Sequence, residues 1–366
     1  MAAPGPNEVE ISIFGPGFGE CIVVHLGEGE WIVVDSCREA KSRRPYALVY
    51  LESIGVDPST QVKHVISTHY HDDHVGGLSE LFGACKAATY TCSLALRSED
   101  WETLAELYRG YINPAGTGID EYALVLKEIE ARLPAGAIAT PNYCMTGVPI
   151  FTRGGALPAV LRCLAPSHAA IGVMQTKIRE ELLPKQSRRR RRVPQLDSND
   201  GSVVLSVQVG VVKVLLGGDL EDHGTPGLGW QVLLDEHSIP HPGFAGFKVP
   251  HHGSANGHHP LQWSGLMKQD SWAALTPYNR GKKKLPQKSD CSRILGLTSE
   301  AYITAPHTLP RAVHPNSAVL KEMQSVAQEI GVEGKTQGQV QFRRDALGAN
   351  PWTIQLFGSA MALKDF

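Results

Sequence analysis

Ser67-Thr-His-Tyr-His-Asp-Asp-His74 crowds three histidines and two aspartates into eight positions directly after an apolar run, Val62-Lys-His-Val-Ile-Ser67, of strand character. Side chains alternate along extended backbone, so His69, His71 and Asp73 point one way. His74 follows on the turn into the next helix. Two imidazoles in such an array can meet one divalent cation while Asp73 and His74 meet a second.

This run resembles the hallmark His-x-His-x-Asp-His of the metallo-β-lactamase-fold metallohydrolases. Further stretches extend the resemblance over residues 8 to about 280. Val214-Leu-Leu-Gly-Gly-Asp219 looks like the family's strand ending in a metal-bridging aspartate, and Phe247-Lys-Val-Pro-His-His-Gly-Ser254 like the strand end carrying its last histidine. Asp35, closing an apolar strand, fits the aspartate that the family sets behind its ligands. The resemblance implies an αββα sandwich, two mixed β-sheets packed face to face with helices on the outer faces. It also implies two divalent ions and a hydroxide between them that attacks an ester.

The residues support that reading on their own terms. Gly217 and Gly218 would let cations come close to Asp219, whose carboxylate can bridge two metals ~4 Å apart. Neighbouring side chains diverge, so one of His251 and His252 reaches the metal and the other lines the substrate side. The reading favours His252 as ligand and His251 as a donor to a phosphate oxygen. The metal set is then His69, His71, Asp73, His74, Asp219 and His252, with Asp73 and His251 also read as taking part in the chemistry.

One departure stands out. Many members of the family carry a further histidine before the strand of the bridging aspartate, whereas here the stretch is Asp197-Ser-Asn-Asp-Gly-Ser202. This is similar to the nuclease-like domain of ComEC DNA-uptake proteins, where Asn-x-x-Ser precedes the strand and His-His-Gly-Ser comes later. Asn199, Ser202 and Ser254 are therefore read as substrate-side residues, with Asn199 also available as a weak oxygen ligand. Oxygen-rich coordination makes Mn²⁺ or Mg²⁺ competitive with Zn²⁺.

Charge distribution bears on substrate. Residues 185 to 193 and 280 to 288 hold 6 and 5 basic residues and no acid, leaving 24 basic against 37 acidic residues elsewhere. Arg188, Arg189 and Arg190 lie in the first strip, upstream of Asn199, and are expected to reach the mouth of the site. Such loops suit nucleic acid or a nucleotide, because each guanidinium can fork onto phosphate oxygens. A phosphodiesterase or nuclease is the leading expectation. The alternatives are a hydrolase of an uncharged ester, lactone or thioester, or a catalytically weak binding module of the same fold.

Organisation follows from periodicity. Strands are expected at 8–14, 21–26, 31–35, 62–67, 160–164, 203–209, 211–216, 246–249, 339–342 and 352–357. Helices are expected near 42–54, 76–83, 93–109, 118–133, 228–237 and 316–330, with a short one at 175–183 inside the basic loop. No linker or repeat divides the chain. It reads as a hydrolase domain over 1–315, with a basic loop insertion at about 167–198, and a C-terminal helix and strand pair over 316–366 packed on the same domain. With 42% hydrophobic and 20% charged residues, fibrous and wholly disordered classes are excluded. No apolar window is long enough for a membrane helix and the start lacks a signal-peptide pattern, so no membrane partner and a cytoplasmic location are expected. Seven cysteines without Cys-x-x-Cys are read as reduced thiols. Membership of a larger assembly or an oligomer is left open by the sequence.

Overall fold

The computed structural model describes residues 2–108, 118–134, 140–182, 199–235, 242–280, 283–307, 338–348 and 350–366. In chain order the described strands are β1 (Glu8–Phe14), β2 (Cys21–His25), β3 (Trp31–Val34), β4 (Val62–Ile66), β5 (Thr89–Ser93), β6 (Asn142–Cys144), β7 (Pro149–Arg153), β8 (Ala159–Ala165), β9 (Val204–Val209), β10 (Val212–Leu216), β11 (Phe244–Lys248), β12 (Met267–Leu275), β13 (Ala301–Ile303), β14 (Gln339–Asp345), β15 (Thr353–Phe357) and β16 (Met361–Ala362). They form two eight-stranded sheets, β15-β14-β1-β2-β3-β4-β5-β6 and β16-β13-β12-β11-β10-β9-β8-β7. Both are mixed. β3 to β6 run parallel in the first and β10 to β13 in the second, each joined to an antiparallel meander. The two halves thus repeat one topology that the sequence does not display as a repeat.

Alternation explains how the layers separate. Ile22, Val24, Ile32 and Val34 face the space between the sheets with Leu161, Val207 and Val214, whereas Cys21, Val23, Trp31 and Val33 face the helices outside. Trp272 of β12 stacks on Phe342 of β14 at 3.7 Å between ring centroids, tying the second sheet to the first. A third apolar cluster, including Trp230, Phe247 and Ile294, covers the outer face of the second sheet. β1 is less simple than its polar/apolar pattern: Glu10 and Ser12 do not face water but are fully buried. Tyr50 at 2.5 Å and Arg343 at 2.6 Å both donate to the Glu10 carboxylate, so burial is compensated.

The helices are α1 (Tyr46–Ser53), α2 (Pro58–Gln61), α3 (Asp72–Val75), α4 (Leu78–Ala84), α5 (Glu99–Tyr108), α6 (Gly118–Arg132), α7 (His168–Leu182), α8 (Gly229–Asp235) and α9 (Lys288–Leu295). None among the described residues is long and apolar enough to cross a membrane. The helix expected over 93–109 is instead the end of β5, a single 3-10 turn and then α5, because Ser93 accepts from the amide of Ala95 and breaks the run.

The short helix expected at 175–183 within the basic loop is longer, beginning at His168 and running through Leu182. Ser167 accepts from the amide of Ala170 at the helix start, and Ala170, Ile171, Met174 and Ile178 form a buried stripe. The remainder of that insertion, 183–198, and the helix expected at 316–330 lie outside the described residues. The C-terminal strand pair does not stand apart: β14 pairs with β1 and extends the first sheet.

Candidate metal centre

Five loop segments at the strand ends bring the acidic and imidazole groups together. After β4 the chain stays extended to His71 and then turns into α3, so His69 and His71 leave from the extended segment and Asp73 and His74 from the first helical turn. Asp219 follows β10 through Gly217 and Gly218. At Gly218, with φ 53°, a Cβ would stand 2.6 Å from Ser202 Oγ and from the Val203 carbonyl, so the close turn requires glycine. His251 and His252 follow β11 with φ of 47° and 52°, two successive non-glycine residues in left-handed backbone, a strain that packing at a functional site sustains.

Three trios of buried ligand atoms result, each with its atoms within 4.8 Å of one another: Glu20/Asp35/His74, and two made only of the expected ligands, His69/His74/Asp219 and Asp73/His74/His252. Asp219 Oδ2 lies 3.4 Å from His74 Nε2, 3.6 Å from His252 Nε2 and 3.9 Å from His69 Nε2. Asp73 Oδ2 lies 3.2 Å from His252 Nε2 and 3.7 Å from His74 Nε2. Asp219 is thus common ground for imidazoles from both halves of the chain. His71 joins none of the trios, but its Nδ1 comes within 3.1 Å of His69 Nε2, so these two nitrogens face one point.

The orientation of each ring is fixed from behind. Asp35, itself left-handed at φ 59°, sits 2.7 Å from His74 Nδ1 and also accepts from the amide and hydroxyl of Thr68, both at 2.7 Å. Thr68 Oγ1 lies 2.9 Å from His69 Nδ1. The carbonyl and hydroxyl oxygens of Thr276 each lie 3.1 Å from His252 Nδ1, and that hydroxyl donates to Glu20 at 2.6 Å. Such partners set tautomer and direction, leaving the opposite nitrogen for a cation.

Electrostatics favour a cation strongly. Burial opposes charge on His74, yet Asp219, Asp35 and Asp73 outweigh it and hold its imidazole well above the ordinary histidine range. His252 is raised against burial in the same way, chiefly by Asp219 and Asp73. Burial would raise Asp219, but His74, His252 and Lys248 hold it far below the usual carboxylate range. Burial, with His74 and His71 adding to it, keeps His69 neutral. His74 Nε2 and Asp219 Oδ1 have no hydrogen-bond partner although both are buried, the mark of atoms meant for another ligand. Imidazole and carboxylate donors without thiolate fit Zn²⁺ or Mn²⁺.

The remaining expected residues are placed as follows. His252 enters the cluster. His251 stands at its edge, with Nδ1 3.2 Å from Glu221 and 3.0 Å from Asn256 Oδ1. Asn199 is buried and donates to Glu221 at 2.7 Å, leaving its Oδ1 unpartnered. Ser202, expected on the substrate side, is fully buried and its hydroxyl instead accepts from the Asp219 amide at 3.0 Å, which makes it a support for the carboxylate. The Ser254 amide closes a turn onto the His251 carbonyl at 2.9 Å. Arg188, Arg189 and Arg190 lie outside the described residues.

Sequence reasoning missed Lys248, Glu20, Thr276, Thr68 and Glu221. Lys248 gave a signal: it is the single charge in the apolar strand Phe244–Lys248, two residues before the histidine pair's proline.

Residues 14–137 match the family model described as Metallo-beta-lactamase superfamily. A HARLDQ-motif mutant of a metallo-beta-lactamase from Cronobacter sakazakii is 14% identical, covering 67% of this chain and 77% of its own, with TM-score 0.35. The subclass B3 metallo-beta-lactamase MEM-A1 from a soil metagenome library is 14% identical, covering 69% and 80%, with TM-score 0.33. MIM-1 from Novosphingobium pentaromativorans is 15% identical, covering 63% and 68%, with TM-score 0.31. No curated protein sequence matches the chain.

Proposed function

We propose that this chain, whose two-sheet sandwich is the metallo-β-lactamase fold, is a metal-dependent hydrolase that cleaves a phosphodiester in nucleic acid or a nucleotide. The observation that carries the hydrolase reading is the pair of buried trios sharing His74, with Asp219 within 4 Å of three imidazoles. His69, His71 and Asp219 would hold one divalent ion, and Asp73, His74, His252 and Asp219 the other. Divalent ions held there would lower the pKa of water and polarise a phosphoryl oxygen. The protein's own groups do the rest. Asp35 and Thr276 keep the imidazole nitrogens aimed inward, Ser202 holds Asp219, and His251 at the edge offers a proton to a substrate oxygen.

Substrate choice rests on charge. Lys283 and Lys284 are exposed on a turn closed by reciprocal backbone bonds between Tyr278 and Leu285, both 2.8 Å. Tyr278 in turn packs beside His252 at 5.4 Å between ring centroids. Cations on that rim, with the arginines at 188–192, favour a polyanion. The Asn199-x-x-Ser202 stretch resembles that of the ComEC nuclease-like domain, although Ser202 here holds Asp219 and leaves Asn199 alone beside the centre. An uncharged ester, lactone or thioester is the second reading, since the same centre would serve it equally. All seven cysteines are free and buried, which accords with a cytoplasmic location.

A metal-supplemented activity screen over linear, circular and single-stranded nucleic acids, generic phosphodiesters and uncharged esters tests the proposal. Chelator-sensitive turnover of a phosphodiester, lost in Asp219→Ala, is expected. Turnover of uncharged esters alone would overturn the substrate assignment.

A further inference from the structure

We infer that Phe18, Tyr278 and Arg280 form a platform on which an unpaired nucleobase of a single-stranded polynucleotide stacks beside the metal centre, an assignment that rests on the phosphodiesterase reading above. Two loops build it. Gly15 to Gly19 follows β1, and Thr276 to Arg280 follows β12; the Asn279 amide donates to the Gly17 carbonyl at 2.8 Å. Gly17 has φ 103°, and a Cβ there would stand 2.4 Å from Asn279 Nδ2, so glycine is what lets the loops close on each other. Closure puts the Phe18 ring 5.6 Å from the Tyr278 ring, and the Tyr278 ring 5.4 Å from that of the candidate ligand His252. Arg280 lays its guanidinium carbon 3.5 Å from the Phe18 ring centroid, a stacking separation.

Phe18 and Tyr278 are half-buried and Arg280 is exposed, so the assembly faces solvent at the edge of the site rather than filling the core. A planar cation backed by an aromatic ring offers a second flat face for a base, and its N–H edge suits a phosphate oxygen. Lys283 and Lys284, exposed on the same turn, stand where the following phosphates of a strand would need counter-charge. A duplex keeps its bases stacked on one another and presents no free face, which is why the platform selects single strands.

The test measures binding by anisotropy, and hydrolysis, for the metal-loaded protein with two oligonucleotides of equal length and charge. One bears thymine throughout and the other is abasic, and phosphorothioate versions serve for binding. The base-bearing strand should bind about 5- to 100-fold more tightly. Tyr278→Leu and Phe18→Ala should erase most of that preference while leaving the abasic strand nearly unchanged, whereas Arg280→Ala should erase it and also weaken both strands alike through the lost phosphate contact. Arg280→Lys, which keeps the charge but loses the plane, should behave like Arg280→Ala for base preference. Equal binding of both strands by the wild type, or a preference indifferent to the Arg280 and Tyr278 variants, overturns the platform. Cleavage of both strands at one rate with equal binding would leave the phosphodiesterase reading standing without it. Base-dependent binding without any cleavage would do the reverse.

Discussion

Lys248 Nζ lies 2.6 Å from Glu20 Oε1, and neither side chain reaches solvent. The same ammonium donates to the Gly218 carbonyl at 2.9 Å and stands 3.8 Å from Asp219 Oδ1. Burial opposes its charge, but Glu20 and Asp219 outweigh that cost and hold the ammonium above the ordinary lysine range. Through Thr276, Glu20 also reaches His252. One buried ion pair therefore braces both the Asp219 carboxylate, after β10, and the His252 imidazole, after the neighbouring parallel strand β11.

Lys248→Met should accordingly cost about 3–5 kcal/mol of stability, because Glu20 is left buried and unpaired. The double variant Lys248→Met with Glu20→Leu should recover much of it in denaturant titrations, yet still bind metal less tightly than the wild type because Asp219 has lost its brace. A single variant as stable as the wild type would refute the role of the pair.

Asp219→Ala should strip most bound metal, measured by elemental analysis, while far-UV circular dichroism stays close to the wild type. The ligands sit on strand-end loops and not in the apolar layers, so the fold survives their loss. Retention of a full metal complement would remove Asp219 from the centre.

Asp35→Asn tests orientation from behind. The amide presents either a donor or an acceptor to His74 Nδ1 but no charge, and metal affinity should fall about 10- to 100-fold, read by competition with a chromogenic chelator. An unchanged affinity would show that His74 needs no help from Asp35.

Acid stability should be governed partly by two histidines far from the centre. Burial lowers both His25 and His64 to about 4. Between their ordinary value near 6.5 and about 4 the unfolded chain binds protons that the folded chain does not. Stability is therefore complete above pH ~6.5 and falls as the pH drops towards 4. The His25→Gln, His64→Gln double variant should show a flatter decline of melting temperature across that window, and an identical slope would contradict the assignment.

The metal-free centre should behave in the opposite sense. His74 and His252 are raised above their ordinary value, so the stability they contribute is full below pH ~6.5 and is lost as the pH rises through their folded values. Divalent ion replaces those protons, so the gain in melting temperature on adding Zn²⁺ or Mn²⁺ should grow with pH. A gain that shrinks towards alkaline pH would argue against coordination by these imidazoles.

What could be read from the sequence was what is local. The run from His69 to His74, the apolar strands and the Gly-Gly-Asp turn carry their meaning within a few residues, so the sandwich was legible, as was the gathering of His69, Asp73, His74, Asp219 and His252 at the strand ends, though not the place of His71 outside the trios. Lys248 and Glu20 were not, because a charge in an apolar strand does not announce a partner in another segment of the chain. Ser202 was misplaced for a related reason: its register beside Asp219 depends on the pairing of β9 with β10, which turns its hydroxyl inward. Only the second half of α7 was legible, because the polar stretch from Ser167 hides a stripe of Ala170, Ile171, Met174 and Ile178 that begins half a helix earlier.

The pairing of β1 with β14 has a consequence for biosynthesis. The bond from Arg343 to Glu10 spans 333 residues, so β1 emerges from the ribosome long before the strand that covers its outer edge. At translation rates of roughly 5–20 residues per second, that edge stays open for on the order of tens of seconds. Its unpaired amides and carbonyls are then a template for any other extended segment, including a second nascent copy. Yield of the folded protein should thus be limited by neighbours on the same messenger more than by the stability of the finished sandwich, and slower initiation should raise the soluble fraction.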